Sequence, residues 1–295
     1  MEHRGEVPAL RKRRLGGYQT RPRPPVRAAR PGETSPRIPP LLACALLAKL
    51  LGLALWGAGH GQAAAAFFFA PDPFLLYAIF VPSAQGLVRV RTTFVTRRPA
   101  IWLTIDDGPD PHDTPRILDL LDRHQAHATF FVVGERTARH PILVREIVRR
   151  GHQIGHHTHT HPAGTFWMAG PRRIAAELDR TLDVLRTLGV RPQVFRAPVG
   201  FKPLMLAPAL ASRGLHYVGW SIRSGDTRST SPEKLAARLE RHLRPGAILL
   251  LHEGPAVPRA VRVRGIALLL EAIAARGLRC EIPELEEGFG PQPRV

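Results

Sequence analysis

The sequence predicts an α/β fold: a distorted, incomplete (β/α)7-type barrel carried behind an N-terminal membrane segment. Three observations predict it. From Pro99 onward, short apolar runs alternate with stretches of helical period, the pattern of a parallel sheet with crossover helices. The runs number seven, too few for a closed eight-stranded barrel. Before them, Leu41 to Gly59 is apolar except for Lys49, close to the roughly 20 residues a spanning helix needs.

Residues 1–40 form a basic arm rich in Arg, Pro and Gly, with no hydrophobic period, and read as disordered. Ten basic residues against Glu2, Glu6 and Glu33 give this arm +7 of the chain's net +18. Residues 41–98 hold the membrane segment and a linker. A second apolar stretch, Ala63 to Pro82, is interrupted by Ala70-Pro71-Asp72-Pro73, which makes it a poor isolated span but a possible second arm of a hairpin. One span is the favoured arrangement. It leaves the arm in the cytoplasm and exports the catalytic domain, by the positive-inside rule. Two spans keep both ends cytoplasmic, and Arg89, Arg91, Arg97 and Arg98 would fit that arrangement. The arm is long for a signal-peptide n-region, and no clean cleavage site follows it.

Residues 99–284 form the catalytic domain, and residues 285–295 an irregular tail. Strands are expected at Ala100–Asp106, Ala128–Val133, His152–Gly155, Gln193–Arg196, Tyr217–Ser221, Ala247–His252 and Leu278–Ile282. One helix is expected to start with Thr114 as N-cap and Pro115 at the first helical position, and another with Ser231 and Pro232. Between Pro171 and Leu188, apolar Ile174, Leu178, Leu182 and Leu185 recur at three- and four-residue steps, so one face is core. Cys44 and Cys280 are the two cysteines, and with Cys44 in the membrane segment no bridge is expected. No aromatic-interleaved basic stripe accompanies the arginines, so nucleic acid is not an expected partner.

The candidate chemistry begins at the end of the first strand. Ile101–Ile105 is apolar and is followed by Asp106 and Asp107, then Gly108-Pro109. Neighbours on a strand point to opposite faces, so both acids reach one site only if the strand breaks there. The competing reading is a solvated Asp-rich turn. A second cluster supplies five histidines in the eleven residues Gly151 to His161. His157 and His161 are four apart, and one helical turn would align their imidazoles. Two imidazoles and a carboxylate make a common catalytic zinc set, and Asp107 can supply the carboxylate. His159 is an alternative ligand on an extended backbone, and His156 adds a further candidate.

Five motifs, in order, resemble those of the polysaccharide deacetylase family (NodB-homology domain, carbohydrate esterase family 4). They run Thr104-Ile105-Asp106-Asp107-Gly108-Pro109; His157 to His161; Phe195-Arg196-Ala197-Pro198-Val199-Gly200; Trp220 to Thr227, with Asp226; and Ile248 to His252. The resemblance spans about Ala100 to Pro283. It implies Asp106 as general base, His252 as general acid, and Asp107, His157 and His161 as metal ligands. It implies that the Val199 backbone N–H helps hold the oxyanion, that Leu250 lines the acetyl pocket, and that Arg196 pairs with Asp226 and orients the base. The chain departs from the family where Val199 replaces a frequent Tyr, Thr227 a Trp, and Glu253 a frequent Asp.

The implied function is metal-dependent removal of N-acetyl groups from amino sugars of a polysaccharide or glycoconjugate. Zn2+ is the expected ion, with Co2+ or Ni2+ as substitutes. The expected partners are an N-acetylated glycan and the membrane. A non-catalytic glycan-binding module on the same fold and a deacylase of a lipid-linked sugar are the alternatives. Glycosidic cleavage by paired carboxylates is disfavoured, because it needs acids about 5 Å or more apart across the bond.

Overall fold

The computed structural model of the chain describes residues 38–284. The tail expected over 285–295 and the basic arm up to residue 37 lie outside the described residues. The chain opens with three apolar helices, α1 (Pro40–Gly57), α2 (Gly61–Phe69) and α3 (Asp72–Phe80). The second apolar stretch is thus two helices, broken at Ala70-Pro71 where the Pro-Asp-Pro interruption falls. Gly52 faces Ala64 and Phe68, Lys49 reaches the Phe68 carbonyl (2.9 Å) and Asp72 (2.7 Å), and Leu41 lies against Gly86. One index falls as the other rises, so α1 runs antiparallel to α2 and α3. A Cβ on Gly52 would sit 2.9 Å from the Ala64 oxygen, so only glycine allows this close approach. The single charge in α1 is therefore paired inside the hairpin, while Leu47, Leu50, Leu53 and Trp56 stay exposed on its outside.

The barrel follows as β1 (Ala100–Gly108), α4 (Thr114–Arg123), β2 (Ala128–Val132), α5 (Gly134–Arg139), α6 (Pro141–Arg149), β3 (Gln153–His156), α7 (Pro171–Thr187), β4 (Val194–Phe195), α8 (Leu206–Ala211), β5 (His216–Tyr217), β6 (Ile222–Arg223), α9 (Pro232–Glu240), β7 (Ile248–His252), α10 (Arg262–Ala275) and β8 (Arg279–Cys280). The strand order is β5-β4-β3-β2-β1-β7-β6, every named pair is parallel, and β8 pairs with the start of β1 at Ala100 and Ile101. The incomplete parallel barrel expected from the sequence is present. One expected strand, Tyr217–Ser221, is not. The chain there ends β5 on one edge of the sheet and begins β6 on the other, and residues 218–221 are the link between the two edges.

That link lies over the open seam, and the stretch before β1 fills it. Arg91 bridges to Val218 and Thr93 to Ala247, while Gly219 N donates to Arg91 O (2.7 Å) and Phe94 N to Gly246 O (2.9 Å).

Side chains alternate along β1 as period two requires. Ile101, Leu103 and Ile105 join Ile117, Leu121, Phe130 and Leu249 in the core beneath the helices. Trp102 faces the interior with Phe131, Val194, Val218 and Ile248. By the same alternation Thr104 and Asp106 follow Trp102 up the barrel interior. In α7, Ile174, Leu178 and Leu185 are buried as the period predicts, while Leu182 is only half-buried. The α4 start differs by one residue: Thr114 is its first helical residue, and its hydroxyl accepts from Asp110 N (2.8 Å) and donates to Glu253 (2.5 Å). Ser231 caps α9 as expected, accepting from Lys234 N (3.2 Å).

The interior leaves no slack at β3. A Cβ on Gly155 would come within 2.5 Å of the buried Phe131 ring. Gly155→Ala should lower stability by ~1–3 kcal/mol, the usual range for overpacking a tight core, as read by denaturant unfolding of the full chain.

Candidate active site

β1 carries two acids into one site by distorting at the second. Its register with β2 shifts between Asp106 and Gly108, and Asp107 has φ +71°. The break therefore falls on Asp107 itself, one residue before the Gly-Pro expected to make it. Asp is among the few residues that tolerate this conformation, and the Arg136 guanidinium, donating to the Asp107 carbonyl, helps hold it. Of the five non-glycine residues with positive φ among the described residues, four are at the site: Asp107, Thr158, His161 and Val199. Such strain persists only where surrounding contacts over-determine it.

The histidines follow β3. His157 and His161 are not joined by the expected helical turn; Thr158 (φ +63°) and His161 (φ +54°) coil the chain into a tight loop instead. The rings still meet, with centroids 4.9 Å apart. His157 Nε2 and His161 Nε2 lie 3.5 and 3.1 Å from Asp107 Oδ1. His157 Nδ1 sits 2.9 Å from the Arg196 carbonyl. A carbonyl only accepts, so Nδ1 carries the hydrogen and the neutral ring turns the Nε2 lone pair toward Asp107. Asp107 Oδ1 is buried and has no hydrogen-bond donor. Three candidate ligand atoms thus converge within 4.8 Å of one another, an arrangement that suits a cation.

The electrostatics agree. Burial pushes the Asp107 carboxyl up, but its close neighbours His157, and then His161, hold it well below the carboxylate range. His161 is pushed down to about 4 by burial and by His157, so near neutral pH it offers a lone pair. His156 and His159 stand outside this set. His156 is fully buried, with Nε2 on the Leu178 carbonyl (3.0 Å) and Nδ1 accepting from Thr158 N (3.1 Å), so both ring nitrogens are used. His159 is packed against Gly134 and Thr181.

Arg196 departs from its expected pairing. Its Nη1 donates to Asp106 Oδ1 (2.7 Å) and to Thr104 Oγ1 (2.8 Å), not to Asp226. Its remaining donors reach the carbonyls of Val218 (3.1 Å) and Gly219 (2.8 Å), and its plane lies 4.2 Å from the centroid of Phe131. From the end of β4, the side chain points across the barrel interior to β1. Asp226 is instead beside the end of β7, where it accepts from His252 N (2.7 Å) and holds His252 Nδ1 (2.8 Å). The site therefore contains two separate pairs, Arg196–Asp106 and Asp226–His252.

The sequence model of the polysaccharide deacetylase family matches residues 95–218. A chitooligosaccharide deacetylase of Bradyrhizobium is 33% identical over 63% of this chain and 90% of its own length. The chain belongs to the polysaccharide deacetylase family. A peptidoglycan-N-acetylglucosamine deacetylase of Bacillus cereus is 30% identical over 61% of the chain and 84% of that protein. A family 4 carbohydrate esterase from Streptomyces lividans, solved with acetate, superposes with a TM-score of 0.58 at 28% identity, covering 66% of the chain and 98% of the esterase. Metal dependence is characteristic of this deacetylase family, and the Asp107, His157 and His161 acceptors fit a cation.

The two remaining expected residues flank the site. Leu250 is buried on the face of β7 opposite Leu249 and Leu251 and pairs in register with Thr104. Val199 is a β-branched residue at φ +49° in the turn after Arg196, and is exposed.

One residue of this deacetylase escaped sequence reasoning. Glu177 of α7 accepts from His159 N (2.8 Å) and Thr160 N (2.9 Å) through Oε2 and from the Thr160 hydroxyl (2.7 Å) through Oε1. It therefore clasps the loop between the two histidines. Its signal was available: it stands three residues after Ile174 and one before Leu178, an acid on the buried face of an amphipathic helix. Glu177→Gln removes the charge that these donors favour and should weaken metal affinity ~10-fold, the lower end for such supporting groups, as measured by titration of the metal-free protein with Zn2+.

Proposed function

We propose that the chain removes N-acetyl groups from amino sugars of a glycan or glycoconjugate, with Asp106 as general base and His252 as general acid. The observation that carries this reading is the paired geometry: a base held by a cation and an acid held by an anion, flanking a cation site. The printed activities of the Bradyrhizobium and Bacillus relatives support it.

Asp107, His157 and His161 would hold the divalent ion. When bound, that ion supplies Lewis-acid polarisation of the amide carbonyl and eases deprotonation of water. Two imidazoles with one carboxylate favour zinc, and cobalt or nickel suit the same donors. Arg196 fixes Asp106 through Oδ1 and leaves Oδ2 facing the ion ligands, 3.7 Å from His157 Nε2. Asp106 then takes a proton from the attacking water. The Val199 N–H stabilises charge developing on the carbonyl oxygen. His252 gives its Nε2 proton to the departing amine. Burial works against the imidazolium, but Asp226, followed by the charges of Asp106 and Asp107, raises His252 to about 9, so it enters the reaction protonated. A glycan-binding module needs neither the held base nor the held acid, which disfavours the non-catalytic reading.

The hairpin supports a reading of location. α1 is about 27 Å long at 1.5 Å per residue, near the ~30 Å of a hydrocarbon core. Its antiparallel packing on α2 and α3 returns residue 80 to the side where residue 40 begins. A hairpin that crosses a bilayer leaves both ends on one face, which supports the two-span arrangement over the single span favoured on sequence. On this reading, with the basic arm cytoplasmic by the positive-inside rule, the catalytic domain faces the cytoplasm too.

Asp106→Asn should keep its metal but lose ~100-fold or more in turnover, read as acetate released from acetylated glucosamine oligomers beside metal content. Near-normal turnover would refute the assignment of the base. The kcat/KM profile should fall as pH rises through about 9, where His252 loses its proton. Asp226→Asn removes the anion that raises His252, so the same fall should occur at lower pH. An unmoved alkaline limb would exclude His252 as the acid.

A further inference from the structure

We infer that the substrate is an amino sugar carried on a membrane lipid, taken up where the end of α3 forms the rim of the site; this rests on the deacetylase reading above. The catalytic domain is not tethered at a distance from the hairpin. Lys202, fully buried, donates from Nζ to the carbonyls of Val81 (2.7 Å) and Pro82 (3.2 Å), and its backbone N to Ile79 O (3.1 Å). Phe80 packs against Trp167 (4.9 Å) and Phe201 (5.2 Å). Pro82 sits so close to Gly200 that a Cβ there would lie 2.6 Å from it.

These contacts fall on two loops of the site. Residues 198–202 follow Arg196 and contain Val199, and residues 166–168 follow His161. An ammonium group buried without a carboxylate is held here by main-chain carbonyls at the exit of α3, and this locks helix end and rim together.

Two apolar side chains stand exposed on the same loops: Met168 at 57% and Val199 at 47%. On α3, Phe74 (65%) and Tyr77 (60%) are exposed as well. The occupant this surface fits is the bilayer. The hairpin is long enough to span it, is apolar on its outside, and neutralises its one α1 charge through Asp72. With the hairpin in the bilayer, the rim is held at the headgroup level. A sugar joined directly to a lipid presents its amide at that level, whereas a polymer in bulk solution gains nothing from the placement.

The test uses the full chain, loaded with Zn2+, in phosphatidylcholine–phosphatidylglycerol vesicles. The probes are alkyl N-acetylglucosaminides of increasing chain length and a soluble N-acetylglucosamine tetramer, read by acetate release. Lengthening the alkyl chain should lower KM and raise kcat/KM ~10-fold or more, the scale set by membrane partitioning of added methylenes. Met168→Glu should reverse most of that gain and leave the rate on the tetramer unchanged. Chain length without effect, or a preference for the tetramer, would overturn the inference and leave the deacetylase reading standing. No acetate from any probe would remove both.

Discussion

The interaction on which the site depends is the burial of one guanidinium. Arg196 is fully enclosed, and a charge so placed is tolerable only when every donor finds a partner. Its partners come from two parts of the barrel: Thr104 and Asp106 of β1, and the carbonyls of Val218 and Gly219 in the link between β5 and β6. Its own carbonyl takes the Nδ1 hydrogen of His157. One residue thus sets the direction of Asp106, the tautomer of His157 and the position of the seam.

The Asp107–His157–His161 cluster was legible because each member lies beside a local marker. Asp107 precedes Gly-Pro, His157 and His161 are spaced within a dense histidine run, and cation binding restricts the residue types. The backbone that brings them together was not legible. Neither the left-handed conformation of Asp107 nor that of Thr158 is marked by glycine, and the helical turn expected between the histidines is a coiled loop. The Arg196–Asp226 pairing failed for a different reason. Partner choice depends on which strand ends face each other across the barrel, and Arg196 faces β1 while Asp226 lies at the end of β7.

Most of the fold was readable from long buried strands and helical periods. The error fell on the shortest elements. β5 and β6 have two residues each, too few to show alternation, and the apolar run joining them looked like a strand of its own. The Pro-Asp-Pro break between α2 and α3 was visible, since proline lacks the donor that a continuous helix needs. The return of that pair onto α1 depends on the contact of Gly52 with Ala64 and Phe68, which no periodicity announces.

The carbonyls of Val218 and Gly219 lie in the link between β5 and β6, where the stretch before β1 pairs with the chain in place of a regular strand, and main-chain oxygens left unpaired there would carry a cost. Arg196 occupies them whether or not a substrate is ever turned over. Architecture alone therefore gives a protein of this shape reason to keep the arginine after its chemistry has lapsed. Its presence in a distant sequence testifies to a sealed sheet, and evidence of turnover must be sought in the acid–imidazole couple at the end of β7.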